Sequence, residues 1–264
     1  MRSPQSRIIG IVGGMGPRAG LALYENILLH TPAVIDQEHL SVVLMTFPGN
    51  IEDRTLFLEG KVSNSPAYGI VEVIRKLVKS GASLIGIACN TSHAPAIFDV
   101  ITAEVSKMKN PPILLNMPEE VCKSIRKNHP GISRIGLMTT NGTYSSGLYR
   151  HILEAMGYEV IVPDYAFQDQ VIHRMVYDPE IGIKANPVHI PQKIEVLCQE
   201  AISYFRERNA EAIVLGCTEF SLLLKEPEMD GIQLIDSTKC LAMALIKGAV
   251  APTLPTETHC PVAK

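Results

Sequence analysis

Two stretches of this chain are built to one pattern, and that repetition restricts the fold more than any other feature. Gly81 to Thr91 and Asn209 to Glu219 each pass from a small entry residue through an apolar run to a cysteine followed by hydroxyl-bearing residues: Ile85-Gly86-Ile87-Ala88-Cys89-Asn90-Thr91-Ser92-His93 in the first, Ile213-Val214-Leu215-Gly216-Cys217-Thr218-Glu219 in the second. A short apolar run bounded by turn residues reads as a buried strand of a parallel sheet. Each cysteine then stands at a strand's carboxyl end. After Cys89, any of Asn90, Thr91 or Ser92 can cap a helix that runs on through Ile97 and Val100. A thiol in that position faces backbone N–H groups and the positive end of a helix dipole. Both favour thiolate and lower the pKa from a free value of roughly 8.5. The same N–H groups can hold a carboxylate. A single cysteine at a strand end is most often a small core hydrophobe; two in the same local frame point to a reactive pair.

The repetition extends beyond the cysteines. Ile8 to Val12 reads as a first buried strand, with the turn Gly13-Gly14-Met15-Gly16-Pro17 behind it, and Arg134 to Met138 echoes it with the turn Thr139-Thr140-Asn141-Gly142-Thr143. From Ile9 to Cys89 is 80 residues and from Ile135 to Cys217 is 82. The chain reads as an α/β protein made of two similar units by internal duplication. Asn110-Pro111-Pro112 is the expected boundary. The expected first domain is residues 1–112 plus 222–250, the second 113–221, and residues 251–264, rich in Pro and Thr without periodicity, a disordered tail.

The Gly-rich turn matches neither a dinucleotide fingerprint nor a P-loop. It reads either as a turn that brings backbone N–H groups to a small anion or as one that only packs. Asp53-Arg54-Thr55 lies in a loop after the second strand, Leu40 to Met45. There an arginine either reaches the ligand crevice with a fork suited to carboxylates or stays solvated and paired with Asp53 or Glu52. Lys184 sits in a loop, where a lone lysine is usually solvated. Cys122, Cys198 and Cys240 fall on helical patterns as core residues, and Cys260 lies in the tail.

Composition excludes several classes. At 264 residues and net charge −3, with no cluster of Lys and Arg, nucleic acid is not an expected partner. No apolar run approaches the roughly 20 residues of a membrane span, and the amino-terminal run is too brief for a signal peptide. The expected location is cytoplasmic, where the six cysteines stay reduced; they show no C-x-x-C spacing for zinc or a dithiol.

Gly13-Gly14-Met15-Gly16-Pro17, Asp36-Gln37-Glu38-His39, Asp53-Arg54-Thr55, Cys89-Asn90-Thr91-Ser92-His93, Thr139-Thr140-Asn141-Gly142-Thr143 and Gly216-Cys217-Thr218-Glu219 together resemble the cofactor-independent aspartate/glutamate racemase family, from about residue 8 to 246. Gly14-Met15 and Cys217-Thr218-Glu219 resemble its aspartate branch. The resemblance implies two pseudo-symmetric three-layer α/β domains with the active site in the cleft between them. It implies no cofactor and no metal, a homodimer, and an acidic amino acid, aspartate first, as the small-molecule substrate. One cysteine, Cys89 or Cys217, takes the α-proton as thiolate while the other donates a proton to the opposite face. Asn90, Thr91, Thr143 and Thr218 would hold the α-carboxylate and ammonium, Arg54 and Lys184 the side-chain carboxylate, and Met15, Thr139 and Glu219 complete the substrate-binding set.

Two-base inversion agrees with the duplication: two facing half-domains each present a cysteine, and the pair must be mixed, since adjacent thiolates repel. Within enzymes the alternatives are a glutamate, broad-range or hydantoin-type racemase, or a maleate-isomerase-like enzyme. Outside enzymes they are a dicarboxylate binder or a thiol-redox sensor. A binder needs no paired thiols, and a sensor needs sulfurs close enough to bond.

Overall fold

The computed structural model describes residues 6–250. The expected tail and Cys260 lie outside the described residues. Among the described residues nine strands form two sheets. The first holds β1 (Ile9–Gly13), β2 (Val42–Thr46), β3 (Leu84–Ile87) and β4 (Ile113–Leu114) in the order β2-β1-β3-β4, all parallel. The second holds β5 (Arg134–Thr139), β6 (Glu159–Ile161), β7 (Ala212–Gly216), β8 (Glu228–Met229) and β9 (Ile232–Asp236) in the order β6-β5-β7-β9-β8, parallel except for the β8–β9 pair. The two orders coincide strand for strand apart from β8, which is the duplication seen in the sequence.

The helices are α1 (Pro17–His30), α2 (Arg54–Leu58), α3 (Pro66–Lys79), α4 (Pro95–Ser106), α5 (Met117–Asn128), α6 (Asn141–Ser145), α7 (Leu148–Ala155), α8 (Tyr165–Phe167), α9 (Arg174–Tyr177), α10 (Gln192–Glu207), α11 (Phe220–Leu223) and α12 (Ser237–Val250). A π-helical stretch, Gln168–His173, joins α8 to α9. Alternation along the strands divides each sheet's apolar residues between two faces. In β3, Ile85 and Ile87 pack with α3 and α4, while Leu84 packs with α1 and α12. In β7, Ile213 and Leu215 pack with α10, while Ala212 and Val214 pack with α5 and α7. Helix α3 shows the cause locally. Pro66 occupies its first turn, Ser65 caps it by accepting from the Ala67 N–H at 3.3 Å, and Ile70, Val73, Ile74 and Leu77 recur at helical spacing on the buried side. Each such side chain contributes about 1.5–3 kcal/mol on burial.

Strand pairing moves both expected domain limits. Ile113–Leu114 pairs with β3, so it finishes the first sheet instead of opening the second. Residues 228–236 belong to the second sheet through β9 and β7, and only α12 returns to pack on α1. Among the described residues no helix is long and apolar enough to cross a membrane.

Candidate active site

In a sheet of this strand order, the connections after β1 and β3 leave in opposite directions and open a crevice at the carboxyl ends. The same holds for β5 and β7. The two crevices face each other, and the residues that follow these four strands meet there. Met15, Arg54, Cys89, Asn90, Thr91, Thr140, Tyr177, Lys184, Cys217, Thr218 and Glu219 enclose one cavity of about 10 Å³, at the threshold for holding a single water.

Cys89 and Cys217 are both walls of this cavity and both buried. Neither stands at the start of a long helix, as the sequence suggests. A single turn, Thr91–His93, follows Cys89, and α4 begins only at Pro95 with Ala94 at its cap. Helix α11, after Cys217, is one turn long. The charges beside the sulfurs come from side chains. Arg54, buried at the start of α2, lies against Cys89; burial works against its charge, but Cys89, Tyr177 and Asp53 more than offset that. Its Nη2 donates to the Met15 carbonyl at 3.2 Å, its Nη1 to the Glu52 carbonyl at 3.2 Å, and its buried Nε has no partner among the described residues. Asp53 is 3.9 Å away and serves mainly as the α2 cap, accepting from the Leu56 N–H. The solvated alternative for Arg54 is therefore not what the fold builds.

At the other sulfur the sign is reversed. The Cys217 thiol donates to Glu219 Oε2 at 3.0 Å. Burial first, and the Glu219 charge second, push this thiol well above its ordinary value, opposite to the lowering expected from sequence. Glu219 stays ionised although burial opposes it, because Lys184, the Cys217 thiol, the Gly16 N–H and the Thr218 hydroxyl all favour the carboxylate. Lys184 Nζ lies 3.4 Å from Glu219 Oε1, donates to the Met15 carbonyl at 3.3 Å, and sits over the Tyr177 ring. Burial opposes the Lys184 charge too, and Glu219 holds its pKa above the usual lysine range.

The glycine turn is thus a receptor for internal groups. Its Met15 carbonyl takes two cations, and its Gly16 N–H donates to Glu219 Oε1 at 3.3 Å. The anion that the turn meets is the protein's own carboxylate.

Across the cleft, Thr91 Oγ1 bonds Thr143 Oγ1 at 2.9 Å and Thr140 Oγ1 at 3.4 Å. Thr143 and Thr139 are not walls of the cavity; they border a separate hollow beside α6 and α7, and the Thr139 carbonyl accepts from Gln168. Thr140 and Tyr177 are walls that the sequence reading missed. Thr140 lay in the quoted turn, one residue from the position chosen. Tyr177 carried no sequence signal; its hydroxyl reaches Asp53 Oδ2 at 3.3 Å, and burial pushes its pKa up to about 12. The other thiols stay apart from the cavity: burial raises Cys122 to about 12 and Cys198 and Cys240 to about 11. Among the described residues no three His, Cys, Asp or Glu are grouped to hold a metal.

The sequence profile of the Asp/Glu/Hydantoin racemase family matches residues 12–245. The chain is 26% identical over 250 residues to the broad specificity amino-acid racemase RacX of Bacillus subtilis (strain 168), covering 92% of this chain and 99% of that one. The structure of Picrophilus torridus aspartate racemase superposes with a TM-score of 0.75 at 31% identity, covering 92% of this chain and 94% of that one. Francisella tularensis glutamate racemase, solved with D-glutamate, shares the fold at 18% identity and a TM-score of 0.61, over 96% and 86% of the two chains. The chain belongs to the Asp/Glu/hydantoin racemase family and is an enzyme of the amino-acid racemase type.

Proposed function

We propose that this protein interconverts L- and D-aspartate by exchanging the α-proton between Cys89 and Cys217. The observation that carries the proposal is the placement of both sulfurs in the wall of one small cavity, each beside a fixed charge of opposite sign. Cys217, hydrogen-bonded to the Glu219 carboxylate, rests as the thiol and is the proton donor. Cys89, beside the Arg54 guanidinium, is assigned the role of the base that removes the α-proton. The electron pair left on the α-carbon takes the proton of Cys217 from the opposite face, leaving Cys89 as thiol and Cys217 as thiolate. That product state is the starting state for the other enantiomer.

An acidic substrate is supported by the charges lining the cavity: Arg54 and Lys184 are positive, Glu219 negative. Aspartate carries the complementary set, two carboxylates and an ammonium. Where substrate excludes water, these interactions strengthen at the point where charge develops. The similarity to an aspartate racemase favours the shorter acid, and that to a broad specificity racemase makes glutamate and neutral amino acids the first competitors to test.

The test is α-proton exchange in D₂O followed by NMR, with L-aspartate and L-glutamate separately and no added pyridoxal phosphate. Deuterium at the α-carbon together with D-aspartate is expected. Cys89→Ser and Cys217→Ser should each lower turnover at least ~10³-fold while preserving the fold. Full activity in either variant would rule out the two-base mechanism, and exchange faster with glutamate would replace the substrate.

A further inference from the structure

Asn90 follows Cys89 and lines the cavity, and its amide is held by two buried residues distant in sequence. Asn90 Nδ2 lies 3.1 Å from Ser237 Oγ, at the start of α12. Asn90 Oδ1 is bonded to the hydroxyl of Tyr149, in α7. Ser237 Oγ in turn lies 2.7 Å from the backbone carbonyl of Leu215, in the strand that ends at Cys217.

The direction of every bond in this chain follows from its last member. A carbonyl oxygen only accepts, so the single hydroxyl hydrogen of Ser237 goes to Leu215. Ser237 Oγ is then left to accept, so the Asn90 atom facing it must be the NH₂ group. The amide oxygen therefore faces Tyr149, whose O–H must donate. Burial, with Cys122 and Cys240 nearby, keeps the Tyr149 phenol protonated and able to do so. One of the two Asn90 N–H hydrogens is used by Ser237; the other makes no hydrogen bond among the described residues.

We infer that Tyr149 and Ser237 are positioning residues that fix the orientation of the Asn90 amide and leave one of its N–H groups free to donate to the ligand. The group that this N–H binds is an acceptor, which the α-carboxylate of the amino acid supplies. The inference rests on the racemase reading for its ligand.

The experiment compares the wild type with Tyr149→Phe, Ser237→Ala, Asn90→Ala and the Tyr149→Phe/Asn90→Ala double variant in aspartate racemisation, with thermal melting as the fold control. Tyr149→Phe and Ser237→Ala are each expected to raise KM at least fivefold and to change kcat less than twofold. In the Asn90→Ala background, Tyr149→Phe should change kcat/KM less than twofold. Equal losses from Tyr149→Phe with and without Asn90, or an unchanged KM in both single variants, would overturn the inference. The ¹⁵N side-chain amide signals of Asn90, identified by their loss in Asn90→Ala, give a readout without substrate. They should form a protected, slowly exchanging pair that Ser237→Ala abolishes. If the wild type turns over no amino acid, the racemase reading fails and these signals decide alone: a pair unaffected by Ser237→Ala would refute the lock.

Discussion

Arg54 beside one sulfur and Glu219 beside the other give the two thiols different electrostatic surroundings although both stand at the end of a strand of one pattern. An anion next to a thiol disfavours its ionisation. Glu219→Gln removes that anion and leaves the Lys184 charge, so the Cys217 pKa should fall. The alkaline limb of Cys217 alkylation by iodoacetamide should move to lower pH; an unmoved profile would mean that burial alone sets this thiol. His93 supports the other cysteine, with Nδ1 2.9 Å from the Cys89 carbonyl and its ring 4.9 Å from that of Phe98. Burial pushes its pKa down to about 4. The unfolded chain, with an ordinary histidine near 6.5, binds more protons between those values, so stability is full above about 6.5 and declines as the pH falls toward 4. Between pH 7 and pH 5 this group should account for a loss of about 2 kcal/mol. Urea denaturation at the two pH values should show it, and His93→Gln should flatten the dependence. The chemistry-bearing residues at this scale were legible where they lay in motifs, as Cys89, Cys217 and Arg54 did. Tyr149, Tyr177 and Ser237 were not, because what singles them out is a partner more than 50 residues away.

Strands were read from short apolar runs, and the helical patterns around Cys122 and Cys198 are α5 and α10, because burial of one face dictates both patterns. The start of the helix after Cys89 was misread for a specific reason. Asn90 and Thr91 have the chemistry of caps, but their polar atoms bond Ser237, Tyr149, Thr143 and Thr140 across the cleft. The turn after β1 depends on glycine at one place. Gly14 has φ +100°, and a Cβ there would lie 3.1 Å from the backbone nitrogens of Phe47 and Pro48. Gly14→Ala should destabilise the protein by more than about 1 kcal/mol. It should also displace the Met15 carbonyl on which Arg54 and Lys184 converge, and so reduce kcat/KM well beyond what the shift in melting temperature explains. Normal kinetics in a folded Gly14→Ala protein would show that the turn only packs.

At the scale of the molecule the two halves are closed on each other. Lys184 reaches Met15, Glu219 reaches Gly16, Tyr177 reaches Asp53, and Gly142 stands so close to Thr55 and Thr91 that a Cβ there would lie 2.8 Å from each. A cavity of about 10 Å³ is far smaller than an amino acid, so binding requires these contacts to open and reform. Saturating aspartate should slow amide hydrogen exchange in α2 and in residues 174–184 relative to the free protein. Unchanged exchange in both, with protection elsewhere, would place the moving parts outside this cleft. The domain limits were misjudged at this scale, since Pro111-Pro112 does break the chain but the strand after it has its open partner edge on β3.

What the sequence determined by itself was the set of buried strands, their duplication and the pair of cysteines at equivalent strand ends. Those follow from local composition and from spacing along the chain. Only the tertiary structure decided how the two cysteines differ. Their charged neighbours, Arg54 and Glu219, and the hydrogen-bonded chain that orients Asn90, depend on which side chains the two sheets bring face to face. Electrostatic interaction falls with distance through space and not along the sequence, so two segments of one pattern can hold their thiols beside charges of opposite sign.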